Sequence, residues 1–200
     1  MTKKDISLTV RQAIKAERSL KSADVTILFA IRRPGCANCR EYGVALDQLS
    51  QEDPRVCVVG AVKETGVADA ELLRFYEEYF RKPIYLDEKW NLFHAMGGKK
   101  LSWPQLIRGY LRSEKRYKRK GIANKKFGGD LYTQGGVLIF DRKGRLRFAL
   151  AEEYGYELDV DAIKEAISEI RETSVGSSRR STRSSSLECE TERDWSLSEW

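Results

Sequence analysis

The spacing of apolar residues predicts two kinds of element along this chain. Unbroken apolar runs are typical of buried strands, because a sheet covered on both faces has no polar side. Apolar residues three and four positions apart predict amphipathic helices. The predicted strands are 25–31, 55–62, 83–86, 135–141 and 145–150, and the predicted helices are 5–22, 36–50, 69–80, 88–96 and 159–171. This order of elements predicts one α/β domain whose central mixed sheet is flanked by helices.

The segment 97–126 differs from the rest in its charge. It holds eleven Lys and Arg residues against one Glu, a local charge of +10 in a chain whose net charge is +6. Its apolar residues, among them Trp103 and Leu111, follow helical spacing. The run from Lys115 to Lys120 either binds an anionic partner, such as lipid or nucleic acid, or forms the solvated face of a helix.

The end of the chain predicts disorder. Residues 173–186 are rich in serine and have no apolar periodicity, and the remaining residues are acidic. Such a segment buries too little apolar surface to offset the entropy lost on ordering. We therefore divide the chain into an N-terminal amphipathic helix (1–22), an α/β domain (23–172) and a disordered tail (173–200).

Composition favours a cytoplasmic protein. The chain has four cysteines in 200 residues, fewer than small disulfide-stabilised secreted proteins use. Its N-terminus lacks the apolar core of a signal peptide, and no stretch reaches the roughly 18 apolar residues of a membrane span. We expect a monomer without a transmembrane segment.

Cys36 and Cys39 are the candidate catalytic residues. They follow a predicted strand and Pro34-Gly35 and open a helix, an order typical of a thioredoxin-like redox site. Residues three apart lie on one face of a helix, and the helix N-terminus favours a thiolate. Three arginines add positive charge nearby and should lower the pKa of at least one thiol. They are Arg32, Arg33 and Arg40.

The other cysteines, His94 and Glu64 have structural interpretations as well as chemical ones. A zinc site is not expected, because there is no second Cys-x-x-Cys and His94 has no neighbouring ligand in the sequence. We interpret Cys57 as a core residue, Cys189 as a free thiol of the tail and His94 as half-buried. Glu64 either relays a proton to the buried thiol or forms a solvated pair with Lys63.

Several blocks of the chain resemble the peroxiredoxin-like 2 family of the alkyl hydroperoxide reductase and thiol-specific antioxidant superfamily. The blocks are 32–41, 61–64, 84–89 and 135–137, within a resemblance that covers residues 16 to 170. The resemblance implies a thioredoxin-like fold and a redox-regulatory, antioxidant activity at the two cysteines. It also implies no bound cofactor, with electrons from thioredoxin, glutathione or an NADPH-linked reductant.

The chain departs from ordinary peroxiredoxins at three positions. Their peroxidatic cysteine lies in a Pro-x-x-x-Thr-x-x-Cys loop, which aligns Cys39 with that cysteine, Cys36 with the Thr and Arg32 with the Pro. Gly135 stands where those enzymes carry an arginine that polarises the peroxide. We therefore expect weak peroxidase activity. The position before the helix favours Cys36 as the attacking thiol, whereas the alignment favours Cys39.

The sequence predicts a thiol–disulfide redox protein, and two alternatives remain. One is an endoperoxide reductase, because a related branch of the family resembles prostamide and prostaglandin F synthase. The other is a signalling adaptor in which the disulfide is only a switch.

Overall fold

A computed structural model describes residues 23–62, 69–87, 91–96, 99–123 and 131–175. The predicted helix 5–22, Glu64, Cys189 and the chain beyond residue 175 lie outside this range. The strands are β1 (Val25–Ile31), β2 (Val56–Val62), β3 (Ile84–Leu86), β4 (Gly136–Asp141) and β5 (Leu146–Ala151). The helices are α1 (Ala37–Glu52), α2 (Asp69–Glu78), α3 (Asn91–Ala95), α4 (Trp103–Arg119) and α5 (Val160–Val175).

The five strands form one mixed sheet in the order β3-β2-β1-β4-β5. β1, β2 and β3 run parallel, whereas β4 is antiparallel to β1 and β5 is antiparallel to β4. The register pairs Ile31 with Val62 and Ala30 with Gly136, so the end of β1 lies beside the start of β4. This sheet and its flanking helices confirm the predicted thioredoxin-like α/β fold.

The core fills both faces of the sheet. β2 and β4 are buried along their whole length and β1 along nearly all of it, as their largely apolar sequences predict. Helices α1 and α5 cover one face with Leu46 and Ile163, and α3 covers part of the other with Phe93. Each such side chain contributes about 1.5–3 kcal/mol when it is fully buried. At the sheet edge, β5 alternates between half-buried and exposed residues.

Helix α4 packs closely against the loop that follows β5. A Cβ on Gly109 would lie 2.5 Å from the Tyr154 carbonyl oxygen, so only glycine permits this approach. Gly155, on the other side of the contact, has a φ of +91°, which also favours glycine. The helix begins at a capping box in which the Ser102 N–H donates to the Gln105 side chain at 2.7 Å.

Some predicted details need correction. His94 is exposed in α3 rather than half-buried. Helix α5 continues to Val175, four residues beyond the predicted end, and the Thr173 and Ser174 hydroxyls donate to carbonyl oxygens of its last turns. Helix α2 ends at Glu78 because the Phe80 N–H donates to the Phe75 carbonyl and closes the helix early. Within the described ranges, no helix is both long and apolar enough to cross a membrane.

Candidate redox site

The two cysteines lie at the junction between β1 and α1. Cys36 is the N-cap residue of α1, and Cys39 lies in its first turn. The Pro34-Gly35 turn is closed by the Cys36 N–H, which donates to the Arg33 carbonyl at 3.2 Å. Both cysteines are buried, and neither forms a disulfide. The structure therefore places the two cysteines at a helix N-terminus, as the motif predicts.

Arg32 is the group that contacts the Cys36 sulfur. Its Nη2 donates to the Cys36 Sγ at 2.8 Å and lies 3.2 Å from the Glu152 Oε1. Its Nη1 donates to the Leu131 carbonyl at 3.0 Å, and the guanidinium lies over the Tyr154 ring at 4.7 Å. Arg32 is almost fully buried. A buried guanidinium needs an anionic partner, and here the Cys36 sulfur, as a thiolate, and the Glu152 carboxylate share that role.

Glu152 connects the thiol cluster to three other parts of the fold. Its Oε1 accepts from the Asn38 Nδ2 at 3.0 Å, and its Oε2 accepts from the Gly135 N–H at 3.2 Å. Asn38 in turn accepts from the Tyr117 hydroxyl at 2.7 Å and from the Gly155 N–H at 3.2 Å. These bonds fix the carboxyl group next to the thiols and tie α1 to α4.

The two thiols have opposite pKa shifts. Burial alone would raise the pKa of Cys36, but the hydrogen bond from Cys39 and the charges of Arg32 and Arg33 outweigh it and lower that pKa well below its usual value. Burial raises the pKa of Cys39, and the Cys36 thiolate beside it raises that pKa further. The arrangement favours one thiolate, on Cys36, beside one thiol, on Cys39.

Glu152 has the position and the proton affinity of a base. One oxygen of its carboxyl group and the two cysteine sulfurs all lie within 4.8 Å of one another. Burial raises its pKa, and the charge of Arg32 opposes that shift. A carboxylate with a raised pKa accepts a proton more readily than an exposed one.

Cys36, Cys39 and Glu152 also have the sulfur and oxygen atoms that could bind a metal ion. The arginine argues against that use, because its guanidinium contacts both Cys36 and Glu152. A bound cation would be repelled by this fixed positive charge. The cluster therefore suits thiolate chemistry better than metal binding.

The structure separates the residues predicted to support the pair. Arg33 is buried, and its charge helps to lower the pKa of Cys36. Arg40 points away from the thiols. Its guanidinium donates to the Pro34 carbonyl at 2.9 Å, to the Ala123 carbonyl at 2.6 Å and to the Glu71 carboxylate at 3.0 Å. Arg40 therefore holds the turn in place instead of adding charge at the sulfur.

Gly135 has no room for the arginine found there in ordinary peroxiredoxins. A Cβ at this position would lie 2.5 Å from the Ala30 carbonyl oxygen and 2.9 Å from the Glu152 Oε2. The arginine at the sulfur comes from the end of β1 instead, as Arg32. The expectation of weak peroxidase activity did not take into account that Arg32 supplies an arginine at the sulfur. The rate of peroxide reduction stays a prediction.

Sequence reasoning did not find Glu152, Asn38 or Tyr117. Asn38 lies inside the Cys-x-x-Cys motif, and Glu152 directly follows β5, where an acid next to a strand end is a weak signal. Tyr117 lies in the basic helix and carries no local signal of its contact with Asn38.

Comparisons with known proteins agree on a family. A model of the AhpC/TSA antioxidant enzyme family matches residues 44–154, a range that includes Glu152 but begins after Cys39. Human peroxiredoxin-like 2A is 27% identical over 182 residues, which cover 83% of this chain and 75% of that protein. A prostamide/prostaglandin F synthase of Xenopus tropicalis is 27% identical over 150 residues, which cover 69% of this chain and 72% of that protein.

Two solved structures show a looser likeness. The Xanthomonas campestris bacterioferritin comigratory protein, described for alkyl peroxide reduction, superimposes with a TM-score of 0.47 at 9% identity, covering 77% of this chain and 82% of that one. The reduced 2-Cys peroxiredoxin of Plasmodium vivax superimposes with a TM-score of 0.47 at 11% identity, covering 76% of this chain and 80% of that one. At these scores and identities, neither structure bears on this chain's chemistry.

Proposed function

Because this chain belongs to the AhpC/TSA antioxidant enzyme family, we propose that it is a thiol–disulfide redox protein that acts through Cys36 and Cys39. The resemblance to the peroxiredoxin-like 2 family, predicted from the sequence, is confirmed. The observation that carries the proposal is the 2.8 Å hydrogen bond from the buried Arg32 to the Cys36 Sγ. A guanidinium at this distance stabilises the thiolate, which is the nucleophilic form of cysteine.

In the first step, the Cys36 thiolate attacks one oxygen of a hydroperoxide. The S–O bond forms, the O–O bond breaks, and the departing alkoxide takes up a proton to become an alcohol. The sulfur is oxidised to a sulfenic acid and the peroxide is reduced. With a disulfide substrate, the same attack gives a mixed disulfide and releases a thiolate.

In the second step, Cys39 resolves the oxidised Cys36. The Cys39 thiol must first lose its proton, and Glu152 is the base within reach of both sulfurs. The Cys39 sulfur then attacks the Cys36 sulfur, and hydroxide leaves and takes up the proton as water. The product is a Cys36–Cys39 disulfide.

Regeneration requires an external thiol reductant. Two thiols of thioredoxin, or two glutathione molecules, would reduce the disulfide by exchange and become oxidised themselves. No bound cofactor is needed, because both electrons pass between sulfur atoms. A partner of this kind is part of the proposal, as is a cytoplasmic location, where such reductants are abundant.

Endoperoxide reduction is the second candidate. It is favoured by the similarity to the prostamide/prostaglandin F synthase of Xenopus tropicalis. The chemistry is the same attack on an O–O bond that joins two carbons. Cys36 and Cys39 together would supply two electrons, the Cys39 thiol one proton and the solvent the second proton, giving two hydroxyl groups and a disulfide.

One experiment separates these functions. The reduced protein is mixed with hydrogen peroxide, a lipid endoperoxide or oxidised thioredoxin, and the oxidised cysteines are mapped by peptide mass spectrometry. We expect Cys36→Ser to abolish oxidation and Cys39→Ser to leave a sulfenic acid or mixed disulfide on Cys36. Cys57→Ala is the matched control and should behave as the parent.

The outcomes distinguish the proposal from its alternatives. A dominant bridge through Cys57, or equal oxidation of Cys36→Ser and the parent, would contradict the proposal. Reaction with the endoperoxide alone would favour the second candidate. If the double variant Cys36→Ser/Cys39→Ser kept the full cellular effect of the protein, neither catalysis nor a disulfide switch at this pair would be needed for that effect.

A further inference from the structure

Helix α4 presents two parallel stripes to solvent on the side away from the redox site. Its inner face is buried through Gly109, Ser113 and Tyr117. The first stripe is apolar and strongly exposed, with exposed fractions of 61% for Trp103, 44% for Ile107, 41% for Tyr110 and 65% for Leu111. The second stripe is cationic and consists of Arg108, Arg112, Lys115 and Arg119, all exposed.

The cationic stripe is poorly neutralised by the protein itself. Within the described part of the chain, no ion pair or hydrogen bond joins the side chain of Arg108 or Lys115 to another residue. Arg112 stacks over the Tyr156 ring at 4.1 Å, and Tyr156 is itself 45% exposed. The fold thus leaves Arg108 and Lys115 without an ion pair among the described residues, in a cationic row that lies beside an apolar row, along a helix about 25 Å long.

We propose that this outer face of α4 docks the protein on the surface of an anionic membrane. An amphipathic helix lies in the plane of a membrane when its apolar side chains enter the headgroup boundary and its cations meet anionic lipids. Trp103 and Tyr110 have the amphipathic rings that settle at headgroup level. The proposal goes beyond the redox function and does not depend on it.

The two stripes together favour a membrane over other occupants. A nucleic acid would use the cations but gain little from exposed Ile107 and Leu111, since phosphate contacts are polar. A second copy of the chain, paired through this face by a two-fold axis, would bring two cationic stripes together. An acidic segment would compete for this face, and residues 187–200 have five acidic residues against one Arg.

The test is flotation of the full chain with phosphatidylcholine vesicles, prepared with and without phosphatidylserine. We expect binding only to the vesicles with phosphatidylserine, and weaker binding as salt rises. Arg108→Gln/Lys115→Gln should lower the partition coefficient about 25-fold, at about fivefold for each cation. Trp103→Ser/Leu111→Ser should lower it at least about tenfold through lost apolar contact.

Matched controls lie elsewhere on the surface. Arg142→Gln/Lys143→Gln removes two exposed cations from the β4–β5 turn, and Leu73→Ser removes an apolar side chain of α2 that is 42% exposed. Neither should change binding. Alkylation of Cys36 should be equal in all variants. In a chain that keeps only Trp103 of its four tryptophans, fluorescence should shift to the blue on binding.

Four results would overturn the proposal. The first is no binding to anionic vesicles. The second is binding that the α4 variants leave unchanged. The third is binding only after residues 187–200 are removed, which would mean that the acidic segment occupies the face. A change in molecular mass with Trp103→Ser would point to a second copy and would equally contradict it. None of these results alters the thiol experiment above.

Discussion

Two buried arginines lie four residues on either side of Cys36, and each contacts a glutamate. Arg32 contacts the Cys36 sulfur and Glu152, both buried. Arg40 contacts Glu71 and two backbone carbonyls, and makes no contact with either thiol. The residues are equivalent in type, burial and sequence distance from the cysteine. Only the direction of the side chain decides which one tunes the thiol and which one holds the turn.

The largest predicted effect is on stability, in Arg40→Gln. This change leaves Glu71 without its guanidinium and two carbonyls without their donor, so the free energy of unfolding should fall by about 3 kcal/mol. Urea unfolding measures it, with Arg74→Gln as a control that breaks an exposed ion pair with Glu78. The pH dependence of Cys36 alkylation should stay that of the parent. A shift in that profile would mean that Arg40 acts on the thiol after all.

The second prediction concerns the two glutamates. Glu152→Gln removes the base next to Cys39, so release of a leaving thiol from a Cys36 mixed disulfide should slow about 100-fold. Glu71→Gln is the matched variant at the other arginine and should leave this rate unchanged. Single-turnover kinetics with a chromogenic disulfide supply the measurement. Equal rates in the parent and Glu152→Gln would remove Glu152 from the mechanism.

The third prediction is a change in pH dependence in Arg32→Gln. Arg32 favours the thiolate, so its loss should raise the pKa of Cys36 and move the alkylation profile to higher pH. Once the pKa of Cys36 lies above neutral pH, each further unit lowers the thiolate fraction at neutral pH about tenfold. Arg32→Lys keeps the charge and should restore part of the reactivity. If Cys36 in the Arg32→Gln variant still titrates below the free-thiol pKa of about 8.5, another group activates Cys36.

A smaller effect is expected in Tyr117→Phe. The variant loses one buried hydrogen bond to Asn38, worth about 1 kcal/mol in the free energy of unfolding. Asn38 keeps its bond from the Gly155 N–H, so the thiol profile should barely move. Tyr110→Phe, at an exposed position of the same helix, is the control for the loss of a hydroxyl. A loss equal to that of Arg40→Gln would mean that this bond holds α4 in place.

The smallest effect is expected from removing residues 176–200. The cut follows Val175 because α5 continues through the residues first assigned to the tail. The removed segment has no apolar periodicity, so the melting temperature and thiol reactivity should match those of the parent. Calorimetry measures the melting temperature, and the rate of Cys36 alkylation measures the thiol reactivity. A clear drop would indicate that Trp195 or Trp200 packs on the domain.

Local signals in the sequence were sufficient to predict the strands, the helices and the position of the Cys-x-x-Cys motif. β1 has the predicted bounds because an apolar run interrupted only by Thr26 is typical of a strand buried on both faces. The Cys-x-x-Cys motif lies at a helix start, as the preceding Pro-Gly turn indicates. The ends of α2 and α5 were misplaced, because they depend on hydrogen bonds of Phe80, Thr173 and Ser174 that periodicity does not record.

The sequence by itself determined the fold class, the cysteine pair and the basic character of α4, since each is a property of neighbouring residues. Tertiary structure decided that Arg32, not Arg40, contacts the Cys36 sulfur, and that Glu152 lies near Cys36 although 116 positions separate them in the sequence. It also decided which face of α4 is buried against Tyr154 and which is left to solvent. Contacts between distant residues depend on how strands and helices pack, and no local pattern encodes the direction of a buried side chain.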